Sequence, residues 1–240
     1  MTLIYGHRGA KGIAPENTLP SFQACLDAGI NRCELDVRLS RDNQAVVIHD
    51  ADLKRLAGSK QRVKNMTVDE LSKVDTRHAG PAWPTACRVP TLAQVLELCT
   101  FEHWQIEIKS LSRKRAVILI QDIARLCEKY GISEQVVLTS SSHTVLRTAM
   151  QQAPHLPRGL VAEYAWMDPV KTALRFQCSL LALNWSLCIE KRIHQAQEAG
   201  MHVSAWTVND PALMRQLAQY GVDSLITDFP GLASATLGSP

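Results

Sequence analysis

The chain has 240 residues, 46% of them hydrophobic and 20% charged. That composition supports one sizeable core and excludes a disordered, collagen-like or coiled-coil chain. Lys+Arg number 26 against 23 Asp+Glu, which leaves +3, too little charge to argue for a nucleic-acid or membrane partner. No apolar run approaches the roughly 18 residues of a membrane span.

Met1-Thr2-Leu3-Ile4-Tyr5-Gly6-His7-Arg8 lacks the basic-then-apolar pattern of a leader and reads as a first strand, over 3–6. Helical spacing follows over 18–28 and stops at Gly29. A second strand covers 32–37. The stretch 50–90 is polar, with a capping box at Thr67-Val68-Asp69-Glu70 opening a short helix. Thr91 caps a helix over 92–99. Strands then alternate with helices: strands over 105–109, 135–139, 159–163, 180–184, 202–207 and 223–228, helices over 114–130, 143–153, 169–176, 190–199 and 211–220. Gly131, Gly200 and Gly221 fall where helix C-caps belong.

Residues 44–49 also read as a strand, which makes nine. Arg41-Asp42-Asn43 is turn-rich, so 38–48 reads as a hairpin above the barrel mouth. Pairing positions that sum to 85 would set His49 opposite Asp36. The eight remaining units predict a single (β/α)8 TIM barrel over 1–240, with a small hairpin and loop insertion after the second strand. An open doubly wound sheet is disfavoured, because G-x-G-x-x-G is missing after the first strand. Seven cysteines show no C-x-x-C pair and lie mostly in apolar segments. They read as reduced core thiols of a cytoplasmic protein.

In such a barrel the chemistry sits at the C-terminal strand ends. Those ends carry His7-Arg8, Glu34 and Asp36, Glu107 and Lys109, Glu163, Asn184, Trp206-Thr207 and Thr227-Asp228. Glu34 and Asp36 are two apart on a strand, so both point the same way. Glu107 should face in from the adjacent strand. Three converging carboxylates repel unless something positive sits among them. All-oxygen ligands select a hard cation, with Mg²⁺ expected and Mn²⁺ or Ca²⁺ open. A charge network with Arg8, Arg32 and Lys109 is the alternative. His7 and His49 fall at strand ends beside this cluster, where imidazoles can serve as general acid and base. Arg8 and Lys109 offer fixed positive charge to a phosphate. The other six histidines read as loop or helix-surface residues, except His202 at a strand start. The basic stretch with Lys54, Arg55, Lys60, Arg62 and Lys64 reads as a solvated face.

His7-Arg8-Gly9, Ala14-Pro15-Glu16-Asn17-Thr18, Glu34-Leu35-Asp36-Val37, His49-Asp50 and Glu107-Ile108-Lys109 together resemble the glycerophosphodiester phosphodiesterases. Pro90-Thr91-Leu92, Ala205-Trp206-Thr207-Val208-Asn209 and Ile226-Thr227-Asp228-Phe229-Pro230 extend the match from residue 4 to about 231. The short form without a leader is similar to the cytoplasmic branch of that family. The resemblance implies metal-dependent hydrolysis of glycerophosphodiesters to sn-glycerol 3-phosphate and an alcohol such as choline, ethanolamine or glycerol. It implies Glu34, Asp36 and Glu107 as ligands of one divalent cation and His7 and His49 as the acid–base pair. Arg8 and Lys109 then contact phosphate, and Trp206 walls the glycerol. Glu16 and Asn17 lie near the metal as supports or ligands. It also implies that a neighbouring glycerol hydroxyl attacks first, giving a cyclic phosphate that water opens; direct attack by water stays open.

Three other readings compete. A phospholipase D-like or phosphoinositide-specific enzyme on a similar barrel would favour an exposed apolar or basic rim. A non-catalytic phosphate-binding barrel would be expected to lack a histidine or carboxylate, and none is missing. A nucleic-acid module lacks its basic–aromatic stripe. The expected partner is a small glycerophosphodiester, with no nucleic acid and no membrane. The oligomeric state is left open, a homodimer included.

Overall fold

The computed structural model describes residues 1–238. The chain runs β1 (Leu3–His7), α1 (Leu19–Asp27), β2 (Arg32–Leu39), β3 (Ala45–Val47), α2 (Lys54–Ala57), α3 (Val68–Leu71) and α4 (Leu92–Leu98). Then come β4 (His103–Ile108), α5 (Arg113–Tyr130), β5 (Val136–Ser140), α6 (His143–Gln152), β6 (Arg158–Ala162) and α7 (Pro169–Arg175). The last elements are β7 (Leu180–Asn184), α8 (Glu190–Glu198), β8 (His202–Trp206), α9 (Pro211–Gln219), β9 (Ser224–Thr227) and α10 (Pro230–Leu237). Eight strands pair in parallel, and β1 hydrogen-bonds both β2 and β9, which closes the barrel. Among the strands of the described residues, β3 alone runs antiparallel, against β2.

The strands are short apolar runs because both faces are covered. Leu180–Leu183 of β7 and all of Val136–Ser140 of β5 are buried. The helices are amphipathic: α5 turns Ala116, Leu119, Ile120, Ile123, Ala124, Leu126 and Cys127 inward. Local signals set their ends. Thr67 with Glu70, and Thr91 with Gln94, form reciprocal capping boxes. Gly131 ends α5 in the left-handed region, at φ 67°. All seven cysteines are free and buried. No helix among the described residues is long and apolar enough to cross a membrane.

The structure corrects the expected details in four places. Hairpin pairs sum to 84, as in Val37 with Val47, so Ile48 and not His49 lies opposite Asp36. The turn at 40–44 explains the shift: Ser40 bonds back to Gln44, with Asn43 at φ 62°. The 50–90 insertion is more than solvated loop, since Val46, Ile48, Leu53, Leu56, Val63, Met66, Leu71 and Val89 form their own small core. A last helix, α10, follows β9; it carries apolar residues on its exposed side as well as its buried one, so no periodicity marks it in the sequence. His103 begins β4 and is half-buried, its Nδ1 2.9 Å from the Tyr5 hydroxyl. It therefore joins His202, which reaches Ser224 Oγ at 2.8 Å, on the end of the barrel away from the site.

Candidate active site

A cavity of about 570 Å³ opens at the C-terminal strand ends. Parallel register builds its floor. His7 of β1 is level with Glu34 of β2, and Asp36 is level with Glu107 of β4. Glu34, Asp36 and Glu107 each offer an oxygen within 4.8 Å of the others. Burial and the nearby Asp36 and Glu107 charges push the Glu34 carboxyl well above its ordinary range. Burial likewise raises Glu107. Burial also disfavours a charged Asp36, but Arg8 and Lys109 outweigh it and hold that carboxyl low.

The donor set fits a hard divalent cation. It is all carboxylate oxygen, and it is crowded enough to protonate unless positive charge joins it. Lys109 Nζ stands 2.7 Å from Asp36 Oδ1 and 2.8 Å from Glu107 Oε1. Even so, Asp36 Oδ1 is buried without an aligned hydrogen bond, which leaves a lone pair for a ligand contact.

The two histidines flank the cluster, each oriented by a carboxylate. His7 Nδ1 lies 2.6 Å from Asp228 Oδ1 and its Nε2 3.9 Å from Glu34. His49 Nδ1 lies 2.8 Å from Asp50 Oδ1. Asn209 steadies Asp228, donating Nδ2 to Oδ2 at 2.9 Å. Burial lowers both histidines; Asp228 opposes it at His7, and Asp36 and Asp50 oppose it at His49. Both are therefore poised as neutral rings with a carboxylate on Nδ1 and Nε2 free.

Arg8 sits at φ 52° after β1, so its side chain turns back toward Asp36, with Nε 3.0 Å from Oδ2. Glu16 accepts Arg8 Nη1 at 2.7 Å and is clasped by both terminal nitrogens of Arg55, at 2.6 and 2.7 Å. Arg55 Nε also reaches Asp50 at 2.7 Å. One chain of contacts thus joins His49, Asp50, Arg55, Glu16, Arg8 and Asp36. Glu16 is a support for Arg8 and lies outside the three-carboxylate group. Asn17, at φ 57°, donates Nδ2 to Asp36 Oδ2 at 2.8 Å and accepts the Asp36 amide. Trp206 forms an apolar wall with Val161, Ala182 and Ile226, its indole N–H donating to the Ala182 carbonyl.

All ten residues singled out in the sequence converge on this end of the barrel. The sequence alone gives no site role to Asp228, Asp50 or Arg55. Asp228 and Asp50 stood inside motifs already noted, and a carboxylate at a strand end was the available signal. Arg55 reads from sequence as part of a solvated face; although exposed, it donates both terminal nitrogens to Glu16.

The glycerophosphoryl diester phosphodiesterase family model matches residues 7–232. The chain belongs to this family. A glycerophosphodiester phosphodiesterase of Caldanaerobacter subterraneus is 30% identical over 95% of each chain, and one of Bacillus altitudinis is 30% identical over 97% of each. The solved glycerophosphodiester phosphodiesterase of Agrobacterium tumefaciens superposes with a TM-score of 0.81 at 25% identity, covering 98% of this chain and 100% of its own. An Oleispira antarctica phosphodiesterase, solved with the product sn-glycerol-3-phosphate, reaches 0.88 at 22% identity, covering 100% and 98%. The (β/α)8 barrel described above is the fold of these enzymes, and the activity is that of a glycerophosphodiester phosphodiesterase acting on a small molecule.

Proposed function

We propose that the enzyme hydrolyses glycerophosphodiesters to sn-glycerol 3-phosphate and an alcohol, with His7 and His49 as acid–base pair and Glu34, Asp36 and Glu107 holding one divalent cation, Mg²⁺. The observation that carries this reading is two carboxylate-oriented histidines flanking a buried three-carboxylate cluster in one cavity. The solved relative's sn-glycerol-3-phosphate complex supports the product assignment.

The cation, when bound, supplies positive charge against the phosphate oxygens. Arg8 and Lys109 add fixed positive charge beside the same cluster, held there by Asp36, Glu16 and Glu107. The Trp206 wall seats the glycerol. One imidazole Nε2 takes the proton of the neighbouring glycerol hydroxyl as its oxygen attacks phosphorus; the other protonates the departing alkoxide. The roles reverse when water opens the cyclic phosphate. One domain over 1–240 carries the site, and the seven free buried cysteines suit the reducing cytoplasm.

The test is the product pair from glycerophosphocholine. Choline and sn-glycerol 3-phosphate are expected; phosphocholine and glycerol would contradict the reading. A 2-deoxyglycerol analogue should be inert, and its normal turnover would remove the cyclic route.

A further inference from the structure

A second cavity, of about 270 Å³, lies between the end of β2, the insertion and the start of α5. Arg38, Ala51, Lys109 and Ser110 line both it and the catalytic cavity, so the two adjoin. Its charged lining is wholly cationic: Arg38, Arg62, Lys64, Lys109 and Arg115.

These charges are not there to pair with carboxylates across the cavity. Lys109 is engaged from the catalytic side by Asp36 and Glu107. Arg38 feels Asp36, Asp50 and Glu107 from that side too, but its Nε donates to a backbone carbonyl, that of His49, at 2.8 Å. Arg115 likewise donates to the Leu39 carbonyl at 2.7 Å. Such bonds hold a guanidinium in place without neutralising it. Arg62 and Lys64 are exposed, and among the described residues neither has an ion-pair partner within 4.0 Å.

The start of α5 adds to the same field. Its first residues are Arg113-Lys114-Arg115, with no acidic residue in the first turn, and the Ser112 side chain makes no capping bond. Cations at a helix N-terminus oppose its dipole, and like charges around a cavity repel. A local rule broken beside a reaction centre marks a functional surface. An anion with several oxygens resolves both conflicts, and guanidinium forks match phosphate geometry.

We propose that this cavity binds a second phosphate group carried by the leaving alcohol, so that the enzyme favours glycerophosphodiesters whose alcohol is itself phosphorylated. The inference rests on the catalytic reading above, and it adds a leaving-group subsite to it. The four shared lining residues set the two cavities side by side, so one molecule reaching past Arg38 and Lys109 would occupy both. Free phosphate presents the same chemistry, and the experiment separates the two sources.

The experiment compares kcat/KM, with Mg²⁺, for glycerophosphoglycerol and for the same diester bearing a phosphate monoester on its leaving glycerol. The wild type should favour the phosphorylated substrate by at least about tenfold, the scale of one good charge-assisted contact. The double variant Arg62→Ser/Lys64→Ser should lose that preference and keep glycerophosphoglycerol turnover within about twofold, because both side chains are exposed. An unchanged melting temperature checks its fold. Equal kcat/KM for both substrates in the wild type, or a preference that survives the double variant, would overturn the proposal. Inhibition by inorganic phosphate that depends on Arg62 and Lys64, with no substrate preference, would assign the cavity to free phosphate and overturn the substrate claim. Failure to turn over either diester would instead overturn the catalytic reading itself.

Discussion

A carboxylate 2.6 Å from His7 Nδ1 decides which nitrogen of that ring stays free for chemistry. Asp228→Asn keeps the shape but removes the charge and turns one of the two acceptor oxygens, which face His7 and Asn209, into a donating amide, so the tautomer is no longer fixed. Turnover should fall about 10²–10⁴-fold with little change in KM, as read by steady-state kinetics. His7→Ala and His49→Ala should lose at least as much; near-wild-type turnover in either would remove that residue from the mechanism. The histidines were legible in the sequence because each ends an apolar strand or follows one beside acidic residues. Their orienting partners were less so. Asp228 is 221 positions from His7, and only closure of the barrel brings them together. Arg55 looked like one more cation in a basic stretch, since nothing local tells a lysine left in water from an arginine folded back onto Glu16.

At the scale of elements, the turn between β1 and α1 shapes the site. Gly9 adopts φ 83°, and a Cβ there would meet the Ser21 backbone at 2.5 Å. Ser21 belongs to α1, whose start fixes that approach; its hydroxyl donates to the Arg8 carbonyl at 2.8 Å. Gly9→Ala should cost about 2–4 kcal/mol from the conformational penalty and the overlap together. A drop in melting temperature of roughly 4–16 °C, with weakened turnover through displaced Arg8, is the expected result. Strand and helix alternation was legible because parallel strands and amphipathic helices differ sharply in period. The hairpin register was not, because one residue of turn geometry shifts every pair. Residues of α10 are apolar on its buried and exposed sides alike, with Pro230 and Ala233 buried but Leu232 and Ala235 exposed, so no periodic signal announces it.

At the scale of the whole molecule, buried titratable groups sit at both ends of the barrel. At the end away from the site, burial, with His202 and Arg32 nearby, holds the His103 imidazole at about 4. That lies below its ordinary value near 6.5, so the unfolded chain binds the proton first. Stability from His103 is complete above pH 6.5 and is lost as pH falls toward 4. The full shift would amount to about 3 kcal/mol, and partial exposure reduces it to the order of 1 kcal/mol. Thermal melts between pH 7 and 4 should therefore show a shallower acid loss for His103→Gln than for the wild type; parallel curves would contradict this. At the opposite end, three carboxylates, two histidines and the cations around them are concealed by the whole chain's net charge of only +3. That cluster was legible from i, i+2 spacing and from the family motifs. Turnover of glycerophosphocholine after exhaustive chelation, followed by graded return of Mg²⁺, tests its role most directly. The account predicts a loss of at least about 10²-fold that Mg²⁺ restores in the wild type and fails to restore in Glu107→Gln. Full turnover in the chelated enzyme would contradict it.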